Sequence, residues 1–587
     1  MPRSLKKITR ASKPRATQNP TPLPLNEIFR VSGYSARSLR TDLGAALAVA
    51  AIALPSQMAT AHLAGFPPAI GFIAFAAASA GFALIGANRY IVACADSTIA
   101  PIFAGGLAAF APLGSQNYFA LCAVFALLTA TILLCCAFFR LGWLADLVSK
   151  PVTTGFLAGI ACHIAVSQLP SFLGVASGQG HLLRSAVAVA ERLPETNRFS
   201  LMLGVGVLAV ILAAERISPR VPGALLGIAA ATFTVYWFDL ERSGVAVLGS
   251  IPGVFPSPRI PSVSFEDVVK AMPLAFIVVS AIIIQTAAST REFQPPATTA
   301  PAIDLDLAGV GAANLVAGYF GAFPVNASPP LTAISAESGA CSKFAGLAAA
   351  AVILAIGRFG TPLLAHVPVA ALAATLLFVA ARIVRVPDIA AIFHQAPGEF
   401  LLVLATVVAI IALPIGTGVA TGIVLSLLHG LWTMTNARLI AFERVPGTSI
   451  WWPPEPGRRG ETLEDVLVVA FQAPLSFLNA YKFLNDTRRI IKQRHSPPRL
   501  IVLEASSLVE IDFTAAEIVL KVIKDCEGEG ITFAVARLES VRARESFDRF
   551  GLTSALRQDR FFHSVDEAIR TLAPNLKKTN EFREKPV

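Results

Sequence analysis

The chain has 587 residues, of which 54% are hydrophobic and only 15% charged, and it carries a formal net charge of +10. An ordinary soluble domain is about 25% charged and seldom exceeds roughly 250 residues around one core, so a wholly soluble protein is excluded and much of this surface needs an apolar solvent. The basic excess does not point to nucleic acid: Lys and Arg gather in the N-terminal arm, the loops and the C-terminal part, as in a membrane protein with a basic cytoplasmic side.

Residues 1–40 are basic and rich in Pro and Ser, with Arg3, Lys6, Lys7, Arg10, Lys13 and Arg15, and lack the apolar stretch of a signal peptide. They read as a disordered cytoplasmic arm ending in a short interfacial helix near residues 25–31. Apolar segments then recur near 43–63, 68–86, 97–111, 118–139, 152–172, 200–215, 222–238, 268–288, 307–322, 330–339, 344–357, 364–382, 399–413 and 416–434. At about 20 residues per span this is a polytopic α-helical membrane protein of about fourteen segments.

The third and tenth segments are too short to cross alone. Each follows an interrupted stretch, Cys94-Ala95-Asp96 and Pro324-Val325-Asn326-Ala327-Ser328-Pro329-Pro330. Each is also third in a set of seven, and an odd number of spans inverts the second set relative to the first. Inverted repeats with matching broken helices point to a transporter whose site lies at the midplane. The loops after even-numbered segments and the last loop hold Arg89, Arg140, Lys150, Arg216, Arg220, Arg291, Lys343, Arg382, Arg385, Arg438 and Arg444. This predicts that both termini are cytoplasmic.

After Trp451-Trp452-Pro453-Pro454-Glu455-Pro456-Gly457 the composition changes. Val466-Leu467-Val468-Val469-Ala470-Phe471, Leu500-Ile501-Val502-Leu503-Glu504 and Ile531-Thr532-Phe533-Ala534-Val535-Ala536 read as buried strands, and residues 514–526 have helical spacing. Strands alternating with helices predict a cytoplasmic α/β domain. The expected organisation is an arm over 1–40, a transmembrane domain over 41–435, a linker over 436–460, the α/β domain over 461–573 and a disordered tail over 574–587. The seven cysteines show neither metal spacing nor a disulfide pattern. No nucleotide loop and no Ser/His/Asp constellation is present, so neither an enzyme nor a cofactor is expected.

Four stretches resemble the SulP sulfate-permease family, which includes prestin-like proteins. They are Ile52-Ala53-Leu54-Pro55 with Met58-Ala59 and Leu63-Ala64-Gly65-Phe66-Pro67-Pro68; Pro151-Val152 with Gly155-Phe156-Leu157-Ala158-Gly159; Gly311-Ala312-Ala313-Asn314 with Gly321-Ala322-Phe323-Pro324-Val325; and Thr406 and Gly416 to Ser426-Leu427-Leu428. The C-terminal domain resembles a STAS domain in Phe477-Leu478-Asn479-Ala480 and Ile511-Asp512-Phe513-Thr514-Ala515-Ala516. The resemblance implies two inverted seven-span repeats divided into core and gate, a homodimer, and a STAS domain with a cytoplasmic partner of its own.

It also implies a substrate site between the facing N-termini of the third and tenth helices. A helix N-terminus carries roughly half a positive charge and unpaired N–H groups, which suits a small inorganic or carboxylate anion. By motif matching, the site holds Ser56 and Thr60 of the first segment, Ser97 and Thr98 of the third, Gln285 of the eighth, and Asn326, Ala327 and Ser328 before the tenth. The same residue types are ordinary helix caps, and the two roles are compatible. Asp96 is an anionic neighbour suited to capping or ion coupling rather than to direct ligation, and His163 in the fifth segment is the other coupling candidate. His62 and Glu337 are expected to reach an interface, and Gln168 and Asn314 to make helix–helix hydrogen bonds. Thr514 matches a phosphorylatable position of anti-sigma antagonists but reads foremost as part of a plain helix N-cap beside Asp512.

Two departures stand out. Relatives usually carry a Glu where this chain has Gln285, and an Arg or Lys near where it has Leu331. Joint loss avoids the cost of a single unpaired buried charge, about 3–5 kcal/mol. The resulting expectation is secondary transport of a small anion (sulfate, bicarbonate, chloride or a dicarboxylate) across the inner membrane by an elevator-like motion. The alternatives are a channel-like anion uniporter and a non-transporting membrane scaffold or sensor acting through the STAS domain.

Overall fold

A computed structural model of the chain describes residues 35–176, 182–218, 222–249, 264–294, 302–360, 364–455, 457, 460–494 and 496–574. The basic arm up to residue 34 and the tail from residue 575 lie outside them. The chain divides into two compact units, Met1–Ser426 and Leu427–Val587.

Each expected apolar segment coincides with one helix, all within the first unit except the last, which runs past Ser426. These are α1 (Ala36–Leu63), α2 (Pro68–Ile85), α3 (Ala100–Leu107), α4 (Gln116–Phe138), α5 (Lys150–Leu173), α6 (Arg198–Ile217), α7 (Gly223–Phe238), α8 (Phe265–Glu292), α9 (Ile303–Tyr319), α10 (Pro329–Glu337), α11 (Phe344–Phe359), α12 (Val369–Ile383), α13 (Pro397–Ala412) and α14 (Ile415–Thr435). Among the described residues, eight helices are long and apolar enough to cross a membrane. Two further helices, Leu182–Glu191 and Val386–Gln395, have too few apolar residues in a row to register as segments.

Caps set several starts. Ser35 Oγ accepts from Ser38 N before α1, Ser115 Oγ from Tyr118 N before α4, and Ser264 Oγ from Asp267 N before α8. The helices fall into two packing groups. In one, α9 lies against α4 and α2, and α11 against α1 and α2; in the other, α5 lies against α12 and α13, and α6 against α7. The glycines of the Gly155-Phe156-Leu157-Ala158-Gly159 motif form the α5–α13 seam. A Cβ at Gly155 would stand 2.6 Å from Val403 O, and one at Gly159 2.8 Å from Ile410 Cβ. Small residues let two backbones approach where no water drives association.

The chain is extended on entering α3 and α10. These stretches, β1 (Ala93–Cys94) and β2 (Asn326–Ala327), pair antiparallel with Ala93 opposite Ala327 and Cys94 opposite Asn326. Proline explains the second break: Pro329 and Pro330 occupy the first turn of α10 and keep Ser328 out of the helical region.

The second unit is built on a six-stranded sheet in the order β4-β3-β5-β6-β7-β8. Its strands are β3 (Leu439–Arg444), β4 (Trp451–Trp452), β5 (Val466–Phe471), β6 (Leu500–Glu504), β7 (Thr532–Ala536) and β8 (Phe561–Phe562). β5 to β8 run parallel, while β3 joins β5 antiparallel. Helices α15 (Ala480–Lys492), α16 (Phe513–Gly528), α17 (Val541–Arg549) and α18 (Val565–Leu572) accompany them. The three strands and the helix expected from composition are β5, β6, β7 and α16. β3 and β4 fall within 436–460, so that stretch carries part of the sheet.

Candidate functional site

The starts of α3 and α10 meet through the β1–β2 pair, and side-chain amides complete what two short strands leave unpaired. Gln57, buried in α1, donates from Nε2 to Ala95 O at 3.1 Å and accepts from Ala95 N at 3.0 Å. Asn314, buried in α9, does the same for the other leg. Its Nδ2 donates to Val325 O at 2.8 Å and its Oδ1 accepts from Val325 N at 3.0 Å. Each amide imitates one rung of a β-ladder, satisfying a buried N–H and C=O that have no water to turn to. The expected helix–helix role of Asn314 is therefore instead a clamp on the chain entering α10.

Gln285 of α8 joins the two legs. Its Nε2 donates to Thr98 Oγ1 at 2.7 Å, and its Oε1 accepts from Asn326 Nδ2. The network runs further in both directions. Thr98 donates through its hydroxyl, and at 2.8 Å through its backbone N–H, to Asp96 Oδ1. Asn326 Oδ1 accepts from Ala327 N at 2.8 Å. Donors thus point one way, from Ala327 through Asn326, Gln285 and Thr98 to the Asp96 carboxylate, which is an acceptor when ionised. Asp96, Thr98, Gln285, Asn326, Ala327 and Ser328 are all buried. Among the described residues no Lys, Arg or His hydrogen-bonds into this cluster, and Leu331 is a buried apolar residue of α10.

The remaining expected residues divide. Thr60 is fully buried, one turn beyond Gln57, and its Oγ1 has no partner in the protein. An unpartnered buried hydroxyl is the kind of group a ligand satisfies. Ser56 and Ser97 are half-buried. His163 stands apart from the cluster, on α5 with Nε2 2.9 Å from Ile410 O of α13. Glu337 is exposed and His62 half-buried at the end of α1. Gln168 is buried, with Nε2 on Ser167 Oγ at 3.3 Å and its oxygen unpaired.

Two sets of residues escaped the sequence reading. Gln57 is the first; its signal was an amide three residues before Thr60, on the same face of an apolar helix. The second is a pair of fully buried carboxylates, Asp306 and Asp42. Asp306 accepts from Ala87 N and Asn88 N, each at 2.8 Å, and from Thr290 Oγ1 at 2.9 Å. Asp42 accepts from Cys341 N and Ser342 Oγ, each at 2.6 Å. Both fasten turns to helix ends, and a carboxylate near a predicted helix start carries no sequence mark of burial. In the second unit Asp512 caps α16, accepting from Ala515 N at 2.8 Å, and also accepts from Phe477 N at 2.7 Å. Thr514 stands in that first turn.

Comparison with known proteins places this architecture. Residues 39–406 match the sulfate permease family and residues 459–568 the STAS domain. The chain belongs to the sulfate permease family of multi-pass membrane transporters and carries a C-terminal STAS domain. It is 30% identical over 547 residues to a probable sulfate transporter of Mycobacterium tuberculosis, covering 92% of this chain and 96% of that protein. It is 23% identical over 542 residues to a putative sulfate transporter of Bacillus subtilis, covering 92% and 98%. Its fold matches the murine Solute Carrier 26 family member A9 anion transporter in the inward-facing state, with a TM-score of 0.84 at 18% identity over 92% of each chain.

Proposed function

We propose that this chain is a secondary transporter that carries a small anion across the inner membrane, with both termini cytoplasmic. The anion binds between the starts of α3 and α10 and is exposed to each side by an elevator-like displacement of one helix group against the other. Family membership and the fold support transport. The observation that carries the site is Gln285, which bridges both helix starts inside a cluster into which, among the described residues, no cation hydrogen-bonds.

The ligand set is Ser56, Thr60, Ser97, Thr98, Gln285, Asn326, Ala327 and Ser328. Hydroxyl, amide and backbone donors can replace an anion's lost hydration, and two helix ends add partial positive charge. With Leu331 in place of a cation, a monovalent anion is favoured over a doubly charged one. Gln285 cannot take up a proton, so coupling through that position is absent. Asp96 is the coupling candidate inside the cluster, whereas His163 would act from the α5–α13 seam. The working unit is a homodimer, and the STAS domain is cytoplasmic with a protein partner of its own.

The test is flux in liposomes with sulfate, bicarbonate, chloride, formate and fumarate, with and without proton or sodium gradients. Saturable uptake of one anion, accelerated by internal anion and indifferent to both gradients, is the expected result. A linear, non-saturating current would replace exchange by a channel. No flux from folded, dimeric protein would replace transport by a scaffold.

A further inference from the structure

A second polar pocket lies outside the Gln285 cluster, bounded by α2, the chain entering β1, α10 and the start of α11. Ser79, Arg89, Val92, Ser335, Lys343 and Gly346 line it. Two of these are cations, and the donors facing the pocket are not all used. Arg89 Nη2 donates to Tyr90 Oη at 2.7 Å, and the guanidinium carbon stands 4.8 Å from the Tyr90 ring centre. Its Nε, however, is buried with no partner in the protein, as is Ser79 Oγ on a residue only 6% exposed. Lys343 Nζ donates to Gly86 O at 2.8 Å, and an ammonium has three protons to give.

The carboxylates nearby are held by other groups. Asp306 attracts Lys343, but its oxygens already accept from Ala87, Asn88 and Thr290. Asp42 is taken up by Cys341 and Ser342. Neither lines the pocket. Two cations and no carboxylate line the pocket, so the lining itself is positively charged.

We infer that this pocket is a second anion site, for a monovalent inorganic anion of halide size, held by Arg89, Lys343 and Ser79. An anion there supplies acceptors for Arg89 Nε and Ser79 Oγ, which are costly to leave unpaired in a buried place. Its position gives it a consequence. Val92, in the pocket wall, accepts through its carbonyl oxygen from Ser328 N at 2.9 Å, and its N–H donates to Thr332 Oγ1 at 3.2 Å. Occupancy therefore stiffens the ribbon that aims the starts of α3 and α10. The inference holds whichever anion is transported.

The experiment is thermal unfolding of the full chain in detergent while bromide replaces gluconate at constant ionic strength. The expected result is a saturable rise in Tm whose midpoint bromide concentration increases about tenfold in Lys343→Gln and in Ser79→Ala, while Gln285→Leu keeps the wild-type midpoint. Arg89→Gln removes packing on Tyr90 as well as charge, so the two milder variants carry the decision. A non-saturable rise would overturn the site. So would midpoints unchanged in both variants, or a response lost in Gln285→Leu and kept in Lys343→Gln, which would put the halide in the substrate cluster.

Discussion

The two sheets of this molecule solve one problem by different means. In the second unit, β5, β6 and β7 pair over five or so residues each, and the ladder itself satisfies their buried backbone. In the first unit the ribbon has two residue pairs, Ala93 with Ala327 and Cys94 with Asn326. Its neighbouring backbone groups are closed by Gln57 and Asn314 instead. Where a ladder is long, any apolar side chain of the right size will do. Where it is two rungs, stability depends on individual amides, because no water replaces a missing rung.

That contrast can be broken most directly at the clamps. Gln57→Leu and Asn314→Leu each orphan a buried N–H and a buried C=O, and each should lower the stability of the purified protein by about 3 kcal/mol. Thermal unfolding in detergent reads this, and a loss below about 0.5 kcal/mol in either variant would end the comparison. Next in size is the bridge between the legs. Gln285→Glu adds a second carboxylate to the cluster that holds Asp96 and opposes any anion between the helix starts. Apparent affinity in liposome uptake should fall about tenfold or more, and unchanged uptake would remove Gln285 from the site.

Smaller effects are expected in the second unit, where the ladder carries the load. Arg494 donates to Val466 O and Leu463 O, each at 2.7 Å, so Arg494→Ala should destabilise that unit by about 1 kcal/mol in denaturant titration. A loss equal to that of Gln57→Leu would erase the distinction between the two sheets. The smallest readout is chemical. Burial and the neighbouring Glu529, Asp525 and Glu527 push the Cys526 thiol up to about 12. Its thiolate is scarce at neutral pH, so maleimide at pH 8 should label the exposed Cys341 and leave Cys526 unmodified by mass spectrometry.

The difference between the sheets also explains what could be seen in advance. β5, β6, β7 and α16 were legible because each is a continuous run with its own period and turn signals. The two-residue β4 and β8 were not, since so short a run carries little pattern, and β3, though as long as β5, ends in charged Glu443-Arg444 just before Pro446-Gly447 and becomes a strand only when a neighbour offers its edge. In the membrane unit the apolar runs announced their helices, and the breaks at Asp96 and at Pro329-Pro330 announced the interrupted ones. Gln57 and Asn314 gave only the weak signal of an amide in an apolar stretch, which does not name its partner.

By itself, the sequence determined that this is a polytopic helical membrane protein with an α/β domain at its C-terminus, because hydropathy and periodicity are local and additive along the chain. It also determined that the α8 position is neutral, since Gln285 is read from a single residue. Only the tertiary structure decided that Gln285 bonds Thr98 and Asn326 at once, residues 187 and 41 positions away. It alone set His163 against Ile410 and gathered Arg89, Lys343 and Ser79 around one pocket. Such meetings depend on how helices far apart in sequence pack, and a one-dimensional pattern holds no information about which faces they present to each other.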